Sequence, residues 1–223
     1  MKRKILMMIV SIATFGLTTV PVGASPNIQL QQTINAGVLS VDVMDASQVS
    51  VASPSSVLTT LATSASCRPT GATGTLGTNS QRIYVDNPGA ANNGWSLAIG
   101  ATAGSTSVWN SGSSTYDFND QTSSGCSDGA DADTVAGKLS LDPSVSTITT
   151  DCSNGCTTAN VTKGVASSFN EGTTDSIELA NASAAANHVW RGYVTGVNET
   201  QSIPAGQTPG AYTLNMTLTA TAL

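Results

Sequence analysis

Five aspartates crowd into one short segment: Asp117, Asp120, Asp128, Asp131 and Asp133. Hard divalent cations take several oxygen ligands, and Asp, Asn and backbone carbonyls supply them. Asp128, Asp131 and Asp133, together with Asp117 or Asp120, make a candidate Ca2+ site tethered by Cys126. The spacing lacks the closing Glu of an EF-hand loop. The competing reading is a solvated acidic loop whose aspartates cap turns. Ca2+ is the only cofactor these residue types point to.

Other chemistry finds little to work with. His188 is the sole histidine, and no Gly-x-Ser-x-Gly elbow accompanies it. No His cluster offers catalytic zinc, and no Gly-rich loop carries the lysine of a phosphate cradle. The expectation is a chain that is not an enzyme. Trp109, Tyr116, Trp190 and Tyr193 are scarce aromatics in a chain with only 4% of them. Exposed, they can stack on sugar rings; buried, they fill volume. Trp190 and Tyr193, close to Arg191, form the most binding-like group.

The ends and the charge set the compartment. Lys2, Arg3 and Lys4 precede an apolar run from Ile5 to Leu17, and Val22-Gly23-Ala24 offers a small-residue cleavage site. Residues 1–24 therefore read as a secretory signal peptide, because the apolar run is shorter than the ~20 residues a membrane span needs. No membrane span is expected after its removal, and the mature chain is expected to be secreted, extracellular or at the cell surface. Losing the leader leaves five basic against fourteen acidic residues, a formal charge of −9. That balance argues against nucleic acid, whose phosphates need a basic footprint. In an oxidising compartment four cysteines read as two disulfides. Three pairings exist; Cys67–Cys126 and Cys152–Cys156 are favoured, the second closing a small loop.

The elements that must position these residues are strands. Leu39, Val41 and Val43 alternate with polar residues, as do Ile83 with Val85, Trp95 with Leu97 and Ile99, Leu139 with Leu141, and Ile177 with Leu179. Val189 to Val197 holds a further strand. Period-2 alternation of this kind marks strands with one buried face. Asn93-Gly94 before Trp95 reads as a hairpin turn. Ala180 to His188 reads as a loop or short helix. Tyr212, Leu214, Met216, Leu218 and Ala220 alternate most clearly, so the last strand is expected to be central to the fold. Gln32-Thr33-Ile34-Asn35-Ala36-Gly37 and Gln201-Ser202-Ile203-Pro204-Ala205-Gly206 echo each other ahead of the first and last strands, which places those strands in related positions.

Two stretches carry a resemblance. Tyr84-Val85-Asp86-Asn87-Pro88-Gly89 through Asn93-Gly94-Trp95-Ser96-Leu97 has an Asp-Asn, Gly-rich turn leading into Trp-x-Leu. Ile203-Pro204-Ala205-Gly206 through Gly210-Ala211-Tyr212-Thr213-Leu214 has a Pro-Ala-Gly, Gly-x-Tyr-Thr pattern. With Gly37-Val38-Leu39-Ser40-Val41 they resemble, in the same order, the WxL-domain surface proteins of Gram-positive bacteria; the second Trp-x-Leu of that family is absent. The resemblance implies a β-sandwich displayed at the bacterial surface and maps the family's wall-binding motif onto Trp95 and Leu97. The alternation of their neighbours offers another role for Trp95, as a core anchor.

The expected fold is all-β: an antiparallel β-sandwich, immunoglobulin-like or WxL-like, with long loops. Residues 25–223 are expected to form a single β-sandwich domain with a disulfide-tied, Asp-rich insertion around 110–160. The expected function is that of a secreted, cell-surface or cell-wall-associated, non-catalytic binding module, with cell-wall glycan or surface proteins as partners. The alternative is a structural subunit of a surface layer or fibre that self-associates by strand addition.

Overall fold

Short alternating runs separated by turn residues give short strands, and the described residues form fourteen. A computed structural model describes residues 31–223 apart from 132, 154 and 187, so the signal peptide reading on 1–24 lies outside the described residues. The strands are β1 (Ser40–Met44), β2 (Arg68–Leu76), β3 (Arg82–Pro88), β4 (Gly94–Ala101), β5 (Trp109–Asn110), β6 (Thr115–Tyr116), β7 (Lys138–Asp142), β8 (Thr147–Thr150), β9 (Val161–Lys163), β10 (Ser167–Ser168), β11 (Ser176–Ser183), β12 (Val189–Thr195), β13 (Val197–Ile203) and β14 (Met216–Ala222). A 3-10 turn, Pro143–Val145, follows β7; the Asp142 side chain accepts from the Ser144 amide to cap it. No helix among the described residues is long and apolar enough to cross a membrane.

The strands make three four-stranded sheets, ordered β1-β3-β12-β8, β10-β7-β13-β2 and β14-β4-β11-β9, plus the ribbon β5-β6. Every pairing is antiparallel. The all-β, sandwich-like architecture is as the alternation implies. Residues 35–223 gather into one compact unit. Its core is a single cluster fed by all three large sheets. Ile83 and Val85 come from β3, Trp95, Leu97 and Ile99 from β4, Leu139 and Leu141 from β7, and Ile177 and Leu179 from β11. Trp95 and Trp190 meet across this core with ring centroids 5.0 Å apart and planes tilted by 42°. Such a pair contributes about 0.5–1.5 kcal/mol beyond its buried area.

Three expectations need correction. Asn93-Gly94 does not close a hairpin: β3 pairs with β1 and β12, whereas β4 pairs with β14 and β11. The turn carries the chain from one sheet to another, and Gly94 takes a left-handed φ of +110° to do so. Among the described residues, Ala180 to His188 holds no helix; Ala180 and Ala182 are buried inside β11, where small side chains suit close packing. The last strand is an edge, not a centre. Its alternation is real, since Met216, Leu218 and Ala220 are half-buried and the threonines between are exposed. Yet β14 pairs only with β4 among the described residues. Within the stretch 110–160, β7 and β8 belong to two of the main sheets. β1 and β14 both occupy sheet edges.

Candidate functional site

The acidic segment is held in place by backbone pairing. The Asp117 amide donates to the Ala136 carbonyl (2.9 Å), Asp120 to Gly137 (3.1 Å), and Leu139 returns a bond to Phe118 (2.6 Å). Residues 117–120 therefore lie alongside the chain entering β7. Gly137 is required there: its φ is +147°, and the place a Cβ would occupy is filled by the Asp117 carbonyl. Phe118 points the other way, into the core, against Phe169 with centroids 5.2 Å apart. Period-2 geometry thus sends Phe118 inward and sets Asp117 on the opposite side of the strand.

A buried polar layer locks the arrangement to β13. Gln201, fully buried, donates to the Asp117 carbonyl (3.1 Å) and accepts from Trp109 Nε1 (2.8 Å). Ser202 Oγ accepts from the Lys138 amide (2.7 Å). The Cys67–Cys126 pair, Cα atoms 5.5 Å apart, ties the loop to the start of β2. Cys152 and Cys156 pair at 6.0 Å, so both favoured disulfides form. Cys156 packs in the core next to Thr157, whose carbonyl accepts from Trp190 Nε1 at 3.0 Å.

All five aspartates are brought together. Carboxylate oxygens of Asp117, Asp120 and Asp131 lie within 4.8 Å of one another, as do those of Asp128, Asp131 and Asp133. Asp131 belongs to both groups. Asp117 and Asp120 are buried, at 1% and 0% exposure, whereas Asp128 is exposed and Asp131 and Asp133 are intermediate. Burial raises the Asp117 carboxyl to about 7, against the pull of the backbone amides that favour its charged form. Burial also raises Asp131 and Asp133, with neighbouring acids adding to the effect. Lys138 is the local cation; burial lowers its pKa although Asp120 and Asp117 favour its charge. Chemically this is an acidic, oxygen-lined pocket with a deep end and an open end.

The aromatic candidates separate. Trp95, Leu97 and Trp190 are 1%, 0% and 1% exposed, so a direct contact of these side chains with glycan or a partner is ruled out by their place in the core. The parity of Trp95 with Leu97 and Ile99 is the reason: one face of β4 carries all three inward. Tyr193 alone of the four reaches the surface, half-buried on the outward face of β12. It sits opposite Tyr84 on β3 with centroids 5.0 Å apart. The Arg82 guanidinium covers the Tyr193 ring at 4.7 Å, and that of Arg191 covers Tyr84 at 4.9 Å. Arg191 is held by Asp151 (3.4 Å) and Asp86 (3.8 Å). Trp109 stacks on Tyr116 (5.8 Å), which meets Tyr212 edge-on.

Sequence reasoning passed over Lys138, Gln201 and Glu199. Glu199 is 8% exposed, its carboxyl raised by burial and hydrogen-bonded by the Ser56 hydroxyl. A signal was present: Glu199 and Gln201 share parity with Val197, a core residue of the same strand. No family model matches the chain, and no curated protein or solved structure matches it.

Proposed function

We propose that the chain is a non-catalytic binding module that works outside the cytoplasm, at the cell surface or in the cell wall, in the manner of the WxL-like surface domains it resembles. Its partner is cell-wall glycan or a surface protein. The observation that carries this reading is the outward face of β12, where half-buried Tyr193 lies beneath the Arg82 guanidinium and near that of Arg191, backed by the buried ring of Tyr84. Tyrosine rings offer flat apolar area with little rotamer freedom to lose. Arginine forks match carboxylates and phosphates geometrically. Two of the five basic residues beyond the leader stand here in an otherwise acidic chain. The disulfides support an oxidising setting, where such bonds persist.

The test is co-sedimentation of the processed protein with purified, insoluble wall glycan. Retention of the native protein is expected, with Tyr193→Ala weakening it roughly tenfold, the size of a contact worth about 1.4 kcal/mol. Native protein left wholly in the supernatant would remove the reading.

A further inference from the structure

The deep end of the acidic pocket has the construction of a cation site. Asp117 Oδ1 accepts from the Phe118 amide and Asp120 Oδ1 from the Thr122 amide, both at 2.6 Å. Each carboxylate is thereby oriented by the backbone through one oxygen. The other oxygen, Oδ2 in both, is buried and has no hydrogen-bond partner, and the same holds for both oxygens of Asp131. Asp117 and Asp120 are 1% and 0% exposed. A buried polar atom without a partner is costly, and a buried unpaired carboxylate more so. Lys138 makes no ion pair with any of the three, since the described ion pairs all belong to Arg191. Three carboxylates with oxygens within 4.8 Å of one another, each keeping at least one buried oxygen without a hydrogen-bond partner, favour a positive charge from outside.

We propose that Asp117, Asp120 and Asp131 bind a Ca2+ ion through these free oxygens, with Asp128 and Asp133 at the solvent end of the same pocket. This goes beyond the wall-binding reading and does not depend on it. Ca2+ suits the site better than Mg2+. Its 6–8 oxygen ligands tolerate irregular geometry, whereas Mg2+ demands a near-ideal octahedron and keeps its waters. The ion would join residue 117, on the strand-like run beside β7, to residue 131 across the loop tied by Cys126. It would thereby fix the loop on which the disulfide already acts.

The test is calorimetric titration of the processed, disulfide-bonded protein with CaCl2 after chelator treatment, into the millimolar range typical of extracellular modules. Saturable Ca2+ binding is expected, with MgCl2 at least tenfold weaker. Asp120→Asn keeps the side-chain oxygen that accepts from Thr122 and removes the charge; it is expected to weaken Ca2+ binding at least tenfold. Asp142→Asn, outside the pocket, is expected to bind as the native protein does. Melting curves in chelator show whether Asp120→Asn is folded, and Asp131→Asn, at a less buried position, repeats the test if it is not. No saturable heat from the native protein, Mg2+ binding as tight as Ca2+, or full Ca2+ affinity in both Asn variants would each overturn the proposal.

Discussion

Two buried acids show how position decides what a carboxyl does. Asp117 shares its pocket with other acids, whereas Glu199 is alone with the Ser56 hydroxyl. Burial raises Glu199 above the ordinary 4.5. A raised acid binds more protons in the folded than in the unfolded chain between its two pKa values. Stability contributed by the neutral form is therefore complete at low pH and is lost as pH rises through that window. Glu199→Gln, which stays neutral, is expected to melt at a higher temperature than the native protein at pH 7, with the gap closing by pH 4. Thermal unfolding at both pH values checks this; an equal gap at both would show that Glu199 carries no such penalty. Asp117, raised to about 7, acts with the same sign when no divalent ion is present. At this scale the sequence was readable where a residue type is rare or clustered, as with the five aspartates. It left two roles open for Trp95 and Trp190, surface contact or core anchor, and the structure gives both to the core.

Strands were readable in proportion to the apolar face they carry. β3, β4, β7, β11 and β12 each bury alternating large residues, and their periodicity shows in the sequence. β2, β9 and β10 do not announce themselves. β2 reads Arg-Pro-Thr-Gly-Ala-Thr-Gly-Thr-Leu and lies at a sheet edge, as β9 and β10 do; among the described residues no strand pairs with the outer rim of β2, which Ser56 and Thr59 cover instead, and little apolar surface is needed. The same logic misplaced β14: strong alternation reports a half-buried face, not a central position. Pairing partners are long-range, and no local signal separates a hairpin turn from a turn between sheets. The tether between elements is testable here. Cys67 and Cys126 are 59 residues apart, and a loop of that size is worth about 4 kcal/mol by chain entropy. Cys67→Ser with Cys126→Ser is expected to lose about 2–4 kcal/mol in denaturant unfolding under oxidising conditions. A loss below about 0.5 kcal/mol would mean the loop is held by its backbone pairing alone.

At the scale of the molecule, three sheets share one core, and the two candidate features lie beside it: Tyr193 with the Arg82 and Arg191 guanidiniums on the sheet of β3 and β12, and the acidic cluster beside β7 and β13. A rigid β scaffold with binding groups on its loops and outer faces is how such folds divide labour. The fold class followed from alternation and turn residues, and the coming together of the five aspartates from their closeness in the chain. Which of them are deep, and that Asp131 joins both groups, depends on pairing of 117–120 with 136–139, which sequence does not display. The account rests on this loop being held by the sheets and completed by a cation. Hydrogen exchange of the processed protein, with Ca2+ and with chelator, reads that claim directly. Slower exchange confined to peptides covering 117–138 is the predicted result. Exchange unchanged by Ca2+ in those peptides, or altered evenly along the whole chain, would contradict it.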